Sequence, residues 1–171
     1  MTASPPNSPS APQPLTPSHD LSAFDCGTAE LNDWLRQRAL RNQESGASRT
    51  YIVSVGQTVV GYYCLANGAI THAQATGKIR RNMPEPIPVM VIGRLAIDRT
   101  WQSKGLGRAL LRDAILRTLQ AAELAGIRAI LVHAKSDEAK AFYESFGLYS
   151  SPADTMTLMI TIADARRAIG L

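Results

Sequence analysis

The stretch from Val89 to about Ala125 most restricts what this chain can fold into. Val89-Met90-Val91-Ile92-Gly93-Arg94-Leu95-Ala96-Ile97 is apolar enough to read as a strand. Asp98 to Lys104 then leads through Gly105 and Gly107 into Leu106, Leu110, Leu111, Ala114, Ile115, Thr118, Leu119 and Ala122, which share one broad helical face. A strand that feeds a short glycine loop and then a helix belongs to a sheet-plus-helix domain. Backbone N–H groups at the helix start lack intrahelical partners and carry the positive end of the helix dipole. Gly105 and Gly107 let a ligand approach that backbone closely, a geometry that suits a diphosphate.

The remainder fits the same class. Leu31, Trp34, Leu35 and Ala39 line one face of a helix capped by Asp25 or Thr28 and ended at Ser45-Gly46-Ala47-Ser48. Tyr51–Val55 and Val59–Ala66, joined by Gly56-Gln57, read as a hairpin. Residues 77–88 form a basic, proline-broken loop, with room for a short helix before it. The long helix should stop at Gly126, followed by a short buried strand, Arg128–His133. Ser136 caps a helix with Ala139, Phe142, Tyr143 and Phe146 on one face, Gly147 ends it, and Leu158–Ile162 is a last strand. The order predicts a mixed α/β domain around one sheet. Residues 1–14, rich in Pro and Ser, read as a disordered tail, and residues 15–171 as the single domain.

A chain of 171 residues with 45% hydrophobic content can bury a real core. Its formal net charge of +4 is compatible with a polyanionic partner without requiring one. No apolar run approaches the length of a membrane span, and the first residues lack the pattern of a secretory signal, so a cytoplasmic protein is expected. Cys26 and Cys64 read as reduced thiols.

Several chemistries find no support. A nucleoside-triphosphate loop would need Gly-Lys-Ser/Thr, whereas here Lys104 precedes Gly105. A dinucleotide fold would place three spaced glycines after its first strand, and only Gly105 and Gly107 fit, late in the chain. His19, His72 and His133 stand at no metal-ligand spacing, so no metal site is expected, and no Gly-x-Ser-x-Gly elbow occurs. Tyr143 reads as core packing when Ala141-Phe142-Tyr143 is taken alone. Beside the glycine loop it gains a second reading, because a phenol can give a proton to a departing thiolate.

Gln102-Ser103-Lys104-Gly105-Leu106-Gly107 resembles the Gln/Arg-x-x-Gly-x-Gly/Ala signature of the GNAT N-acetyltransferases. Ala141-Phe142-Tyr143-Glu144-Ser145-Phe146-Gly147 is similar to another segment common in that family. Phe24-Asp25-Cys26-Gly27, Leu31-Asn32-Asp33-Trp34-Leu35, Arg49-Thr50-Tyr51, Val60-Gly61-Tyr62-Tyr63, Pro88 and Gly93-Arg94-Leu95-Ala96 resemble one branch of it, the toxins of type II toxin–antitoxin pairs that acetylate aminoacyl-tRNA. The likeness runs over roughly residues 15–162. Two positions depart from the superfamily pattern: Leu148 stands where an aromatic is usual, and His133 where an acidic residue is frequent.

The resemblance implies a GNAT fold, a mixed central sheet with splayed strands flanked by helices. It implies acetyl-CoA, with main-chain groups of Leu95, Ala96 and Ile97 along the pantetheine arm. The N–H groups of Gln102, Ser103, Lys104, Gly105, Leu106, Gly107 and Arg108 would hold the pyrophosphate, with added charge from Lys104 and Arg108. Tyr143 would protonate the leaving thiolate or order the water that does. Arg36, Arg38, Arg41, Arg49, Lys78, Arg80 and Arg81 are candidates for phosphate contacts to a tRNA acceptor stem, and each also reads as an ordinary solvated residue. Implied partners are aminoacyl-tRNA as substrate, a ribbon-helix-helix antitoxin, operator DNA through that antitoxin, and a second copy in a homodimer; no membrane is implied. Two other readings stay open: an acetyltransferase of small amines or protein N-termini, and a non-catalytic subunit of an antitoxin–repressor complex.

Overall fold

The computed structural model describes residues 7–171. Its elements run β1 (Gln13–Pro14), α1 (Ala29–Gln37), α2 (Ala39–Ser45), β2 (Arg49–Val55), β3 (Thr58–Ile70), α3 (Gly77–Arg80), β4 (Ile87–Ile97), α4 (Leu106–Ala122), β5 (Ala129–His133), α5 (Asp137–Glu144), β6 (Tyr149–Ser151), β7 (Asp154–Thr161) and α6 (Ile162–Ala168). The strands form a seven-stranded mixed sheet in the order β1-β2-β3-β4-β5-β7-β6. The expected α/β class is therefore met. The chain divides into two compact units, one holding the residues through Leu65 with Arg94–Asp113, the other Ala66–Gly93 with Ala114–Leu171.

In the first unit β2 runs antiparallel to β1 and to β3. Leu31 and Leu35 of α1 meet Ile52, Val59, Tyr62 and Ala96 in one apolar cluster. Trp34 stacks on Tyr62, with ring centroids 5.9 Å apart. The single helix expected over residues 29–45 is two. A straight helix would carry Arg38 onto the face of Leu31 and Leu35, where a guanidinium cannot be buried unpaired. The backbone breaks at Arg38 (φ −123°, ψ −32°), leaving Arg38 exposed while Ala39 stays in the core.

Part of the segment before Leu15 lies along the sheet. Gln13 and Pro14 pair with Ile52 and Tyr51, and the Ser10 N–H donates to the Ser54 carbonyl at 2.7 Å. Leu15 enters the core and draws this segment along the edge of β2. Met1 to Pro6 of the expected tail lie outside the described residues.

In the second unit β4 and β5 pair in parallel from Val89↔Ala129 to Ile92↔Val132. Ala129 to Val132 are all buried, as a central parallel strand requires. β5 is also antiparallel to β7, and β7 to β6. Ile70, Ala75, Ile79, Ile87, Val89, Leu131 and Met159 pack together on one face. Ser136 caps α5 as expected, its Oγ accepting the Ala139 N–H, and Gly147 follows in the left-handed region at φ +92°. Gly126 is not the stop of α4, which ends at Ala122 in a turn closed by the Ala125 N–H on the Ala121 carbonyl. The expected strand over 158–162 is longer toward its start and belongs to the hairpin β6–β7. Ile162 instead opens α6, where the Thr161 hydroxyl accepts the Asp164 N–H.

Candidate active site

β4 continues past its last pair with β5, Ile92↔Val132, through Leu95, Ala96 and Ile97. Ala96 is buried; Leu95 and Ile97 are half-buried. The Asp98 N–H donates to the Val60 carbonyl, and a single 3-10 turn, Arg99–Trp101, follows.

Gln102 to Gly105 are exposed, Leu106 and Gly107 half-buried, and Arg108 exposed. Ser103 (φ +62°) and Gly105 (φ +86°) both lie in the left-handed region. That conformation is uncommon for a residue with a Cβ, and such residues concentrate at functional sites. At Gly105 an added Cβ would meet nothing within 4 Å, so the space over the loop is open. The Ala109 N–H bonds back to the Gly105 carbonyl; the N–H groups of Leu106, Gly107 and Arg108 precede that first helical bond. No acidic residue stands in the first turn of α4. Lys104 rests its ammonium 5.8 Å from the Trp101 ring centre.

The loop is held from behind by the side chain of Gln102 itself and by Asp25, Asn32 and Asp98, to which the sequence pattern assigned no role at the site. Gln102 Nε2 donates to the Ile97 carbonyl at 2.9 Å and to the Cys26 carbonyl at 3.1 Å. Asp98 accepts the Thr100 N–H and hydroxyl on Oδ1 and the Asp25 N–H on Oδ2. The Arg99 N–H returns to the Asp25 carbonyl. Asp25 Oδ1 accepts the Gly27 N–H and the Asn32 amide, and Asn32 Oδ1 accepts the Cys26 N–H. The Gly27 N–H and the Asn32 amide hold the Asp25 carboxyl below its usual range. Phe24-Asp25-Cys26-Gly27 is thus a clamp on the turn that launches the loop. Thr28 occupies the start of α1 without a side-chain cap, because Asp25 and Asn32 do the polar work there. Arg94 lies 4.4 Å from the centre of the Trp34 ring and so ties β4 to α1.

Tyr143 lies on α5, in the second unit, and is 5% exposed. The Phe142 ring meets it edge-on at 5.3 Å. Burial pushes its phenol up to about 12.

The basic residues fall in two groups. Arg38, Arg41 and Arg49 are exposed in the first unit. Arg36, on α1, is tied down: it donates to the Phe24 carbonyl at 2.7 Å and lies 3.6 Å from Asp33. Lys78, Arg80 and Arg81 are exposed in the second unit, where Lys78 pairs with Asp164. No group of metal-ligating side chains occurs among the described residues, and no described helix is long and apolar enough to cross a membrane. Cys26 and Cys64 are not joined in a disulfide.

Residues 46–147 match the acetyltransferase (GNAT) domain family. The chain is 50% identical over 161 residues to the tRNA-acetylating toxin of Mycobacterium tuberculosis, covering 94% of this chain and 97% of that protein. It superposes on the structure of AtaT complexed with acetyl-methionyl-tRNAfMet with a TM-score of 0.85 at 27% identity, over 94% of this chain and 98% of the other. A tyrosine-to-phenylalanine mutant of AtaT, bound to the C-terminus of the antitoxin AtaR and acetyl-CoA, matches with a TM-score of 0.81 at 26% identity, covering 96% and 99%. With half its residues shared over nearly its whole length, the chain belongs to the GNAT acetyltransferases, in the branch of the tRNA-acetylating toxins.

Proposed function

We propose that this protein transfers the acetyl group of acetyl-CoA to the α-amino group of aminoacyl-tRNA, and so blocks translation as the toxin of a type II toxin–antitoxin pair. One observation carries the reading: the chain is 50% identical to a tRNA-acetylating toxin over 161 residues, 94% of its length. That extent sets aside the small-amine and non-catalytic alternatives.

The loop fits the coenzyme on its own geometry. Gly105 is left-handed beneath open space, and the N–H groups at the start of α4 face no acidic side chain of its first turn. Those of Gln102 to Arg108 would hold the pyrophosphate, with Lys104 and Arg108 adding positive charge. The main chain of Leu95, Ala96 and Ile97 lies beyond the last β4–β5 pair and would hydrogen-bond the pantetheine arm as an added strand does. When bound, acetyl-CoA supplies the activated thioester. A backbone N–H near Arg94–Leu95 would stabilise negative charge on the thioester oxygen, a contribution of about 10²–10³ in rate.

Tyr143 holds its proton throughout the physiological range, because burial raises its phenol. It is therefore always in the form that can donate Oη–H to the departing sulfur. The attacking α-amino group, with a reference pKa of about 7.7–8, is already partly neutral near pH 7 and needs no strong base.

Arg38, Arg41, Arg49, Arg80 and Arg81 supply phosphate contacts for the tRNA. Arg36 and Lys78 are partly committed to Phe24 and Asp164. A ribbon-helix-helix antitoxin, operator DNA reached through it, a homodimeric state and a cytoplasmic location complete the reading. Incubation with charged total tRNA and labelled acetyl-CoA, followed by identification of the labelled species, tests it. Label on aminoacyl-tRNA is expected; label confined to protein N-termini or small amines would overturn it.

A further inference from the structure

Two adjacent tyrosines of β3 hold two different helices. Successive residues of a strand face opposite sides of its sheet. Tyr62 turns to α1: its hydroxyl donates to the Leu31 carbonyl at 2.7 Å, and Trp34 stacks on its ring. Tyr63 turns to α4: its hydroxyl donates to Asp113 Oδ2. Both tyrosines are fully buried. On the α4 side the register sets Tyr51 against Tyr63 and Val53 against Gly61. The Tyr51 and Tyr63 rings stack with centroids 5.3 Å apart, which keeps the Tyr63 phenol in place.

Helix α4 starts at the glycine loop, so where the helix sits decides where the loop's last N–H groups point. β3 holds it at two points. At Gly61 an added Cβ would stand 2.9 Å from Ile97 Cδ1 and 3.2 Å from Leu110 Cδ1, so the missing side chain sets how closely β3, β4 and α4 approach. That contact is apolar and non-directional, and it lets the helix slide or roll. A hydrogen bond is directional, and Tyr63 supplies one at Asp113, about one turn beyond Leu110. Asp113 is half-buried and is the only acidic residue of α4. It stands about 10 Å along the axis from Leu106. Over that distance a helix carries any roll or slide to its first turn.

We infer that Tyr63 and Asp113 are positioning residues for the coenzyme: their bond locks α4 at the roll and height where its first N–H groups converge on the diphosphate. They act through the helix, since Tyr63 is buried and has no surface to offer a ligand. The pair also keeps the one carboxylate of α4 against β3. Released, that charge would stand two turns behind a site built for an anion and would oppose it. The inference rests on the acetyl-CoA reading of the loop and on nothing about the acceptor.

The test is calorimetric titration of the full chain with acetyl-CoA and, separately, with 3′-phospho-ADP, which carries the diphosphate and no pantetheine arm. Tyr63→Phe keeps the ring against Tyr51 and loses only the hydroxyl. It should weaken both ligands at least fivefold and by the same factor, while its far-UV circular dichroism matches the parent. Asp113→Ala should do the same. The double variant should be no more than twofold weaker than the poorer single one, because each single change already breaks the shared bond. Asp113→Asn keeps an oxygen for the phenol and should stay within twofold of the parent. Parent-like Kd values for Tyr63→Phe would overturn the inference. So would losses that add in the double variant, an Asp113→Asn as weak as Asp113→Ala, or weakening confined to acetyl-CoA. A parent chain that binds neither ligand would overturn the coenzyme reading itself, and the inference with it.

Discussion

Asp98 accepts the backbone N–H of Asp25 at 3.0 Å across 73 positions of sequence. The bond joins the turn before the glycine loop to the segment that begins α1. The same turn is closed by the Arg99 N–H on the Asp25 carbonyl and by Gln102 on the carbonyls of Ile97 and Cys26. Residues far upstream of the loop therefore set where its N–H groups stand.

Replacing Asp98 with alanine should loosen that loop without unfolding the chain. It removes the acceptor for three donors, from Asp25 and Thr100. A lost net hydrogen bond costs about 1 kcal/mol, and a partner left unsatisfied costs somewhat more. We expect a tenfold or greater loss of acetyl-CoA affinity by titration calorimetry, with aminoacyl-tRNA affinity nearly unchanged. An unchanged coenzyme Kd would show that the clamp is irrelevant to binding.

The strand–loop–helix was legible in the sequence because each part has a local signature: apolar run, glycines, helical period. The cap at Ser136 and the stop at Gly147 were legible for the same reason. The clamp was not, since no local pattern pairs Asp25 with Asp98. The break at Arg38 follows from periodicity in hindsight, but nothing local marks it beyond a charge on an apolar stripe. The early pairing of residues 13–14 was hidden by composition, which speaks to average behaviour and not to Leu15 drawing its neighbours onto β2. His133 had no partner in sequence; Thr157 and Asp154 reach it only through the β5–β7 register His133↔Thr157.

Tyr143→Phe should separate chemistry from structure. Among the described residues the Tyr143 hydroxyl has no hydrogen-bond partner, so losing it leaves nothing unsatisfied. The ring still packs against Phe142. We expect the urea midpoint and the acetyl-CoA Kd to hold while kcat falls about 10²-fold or more. Turnover equal to the parent would remove Tyr143 from the mechanism.

Acid should undo the clamp. At Asp98, burial acts to raise the pKa but is outweighed by the N–H groups of Asp25 and Thr100 and by the Thr100 hydroxyl, so the carboxyl sits below its ordinary value. A folded-state pKa below the unfolded one gives stability that is complete above the unfolded value, about 3.9, and is lost as pH falls through the folded one. The urea midpoint should be flat from about pH 7 to pH 5 and drop below about pH 4. Asp98→Asn should show a shallower drop than the parent. Identical acid limbs would mean that the Asp98 charge contributes nothing.

Charge at Arg41 and Arg36 should have different consequences, although both are arginines of the first two helices. Arg41 is exposed, and its loss should act on a polyanion alone. Each phosphate contact removed reduces the slope of log affinity against log salt by about 0.7–0.9. Arg41→Ala should lower that slope for aminoacyl-tRNA by about this amount and leave the urea midpoint in place. Arg36 instead holds the Phe24 carbonyl beside the clamp. Arg36→Ala should cost about 1–2 kcal/mol of stability, because a half-buried carbonyl loses a charged donor, and should weaken acetyl-CoA binding while the salt slope stays put. Fluorescence titrations of tRNA at several salt concentrations, beside urea melts of both variants, decide the matter. If Arg36→Ala lowered the slope and Arg41→Ala did not, the tRNA would track along α1 and the assignment of these two residues would be reversed.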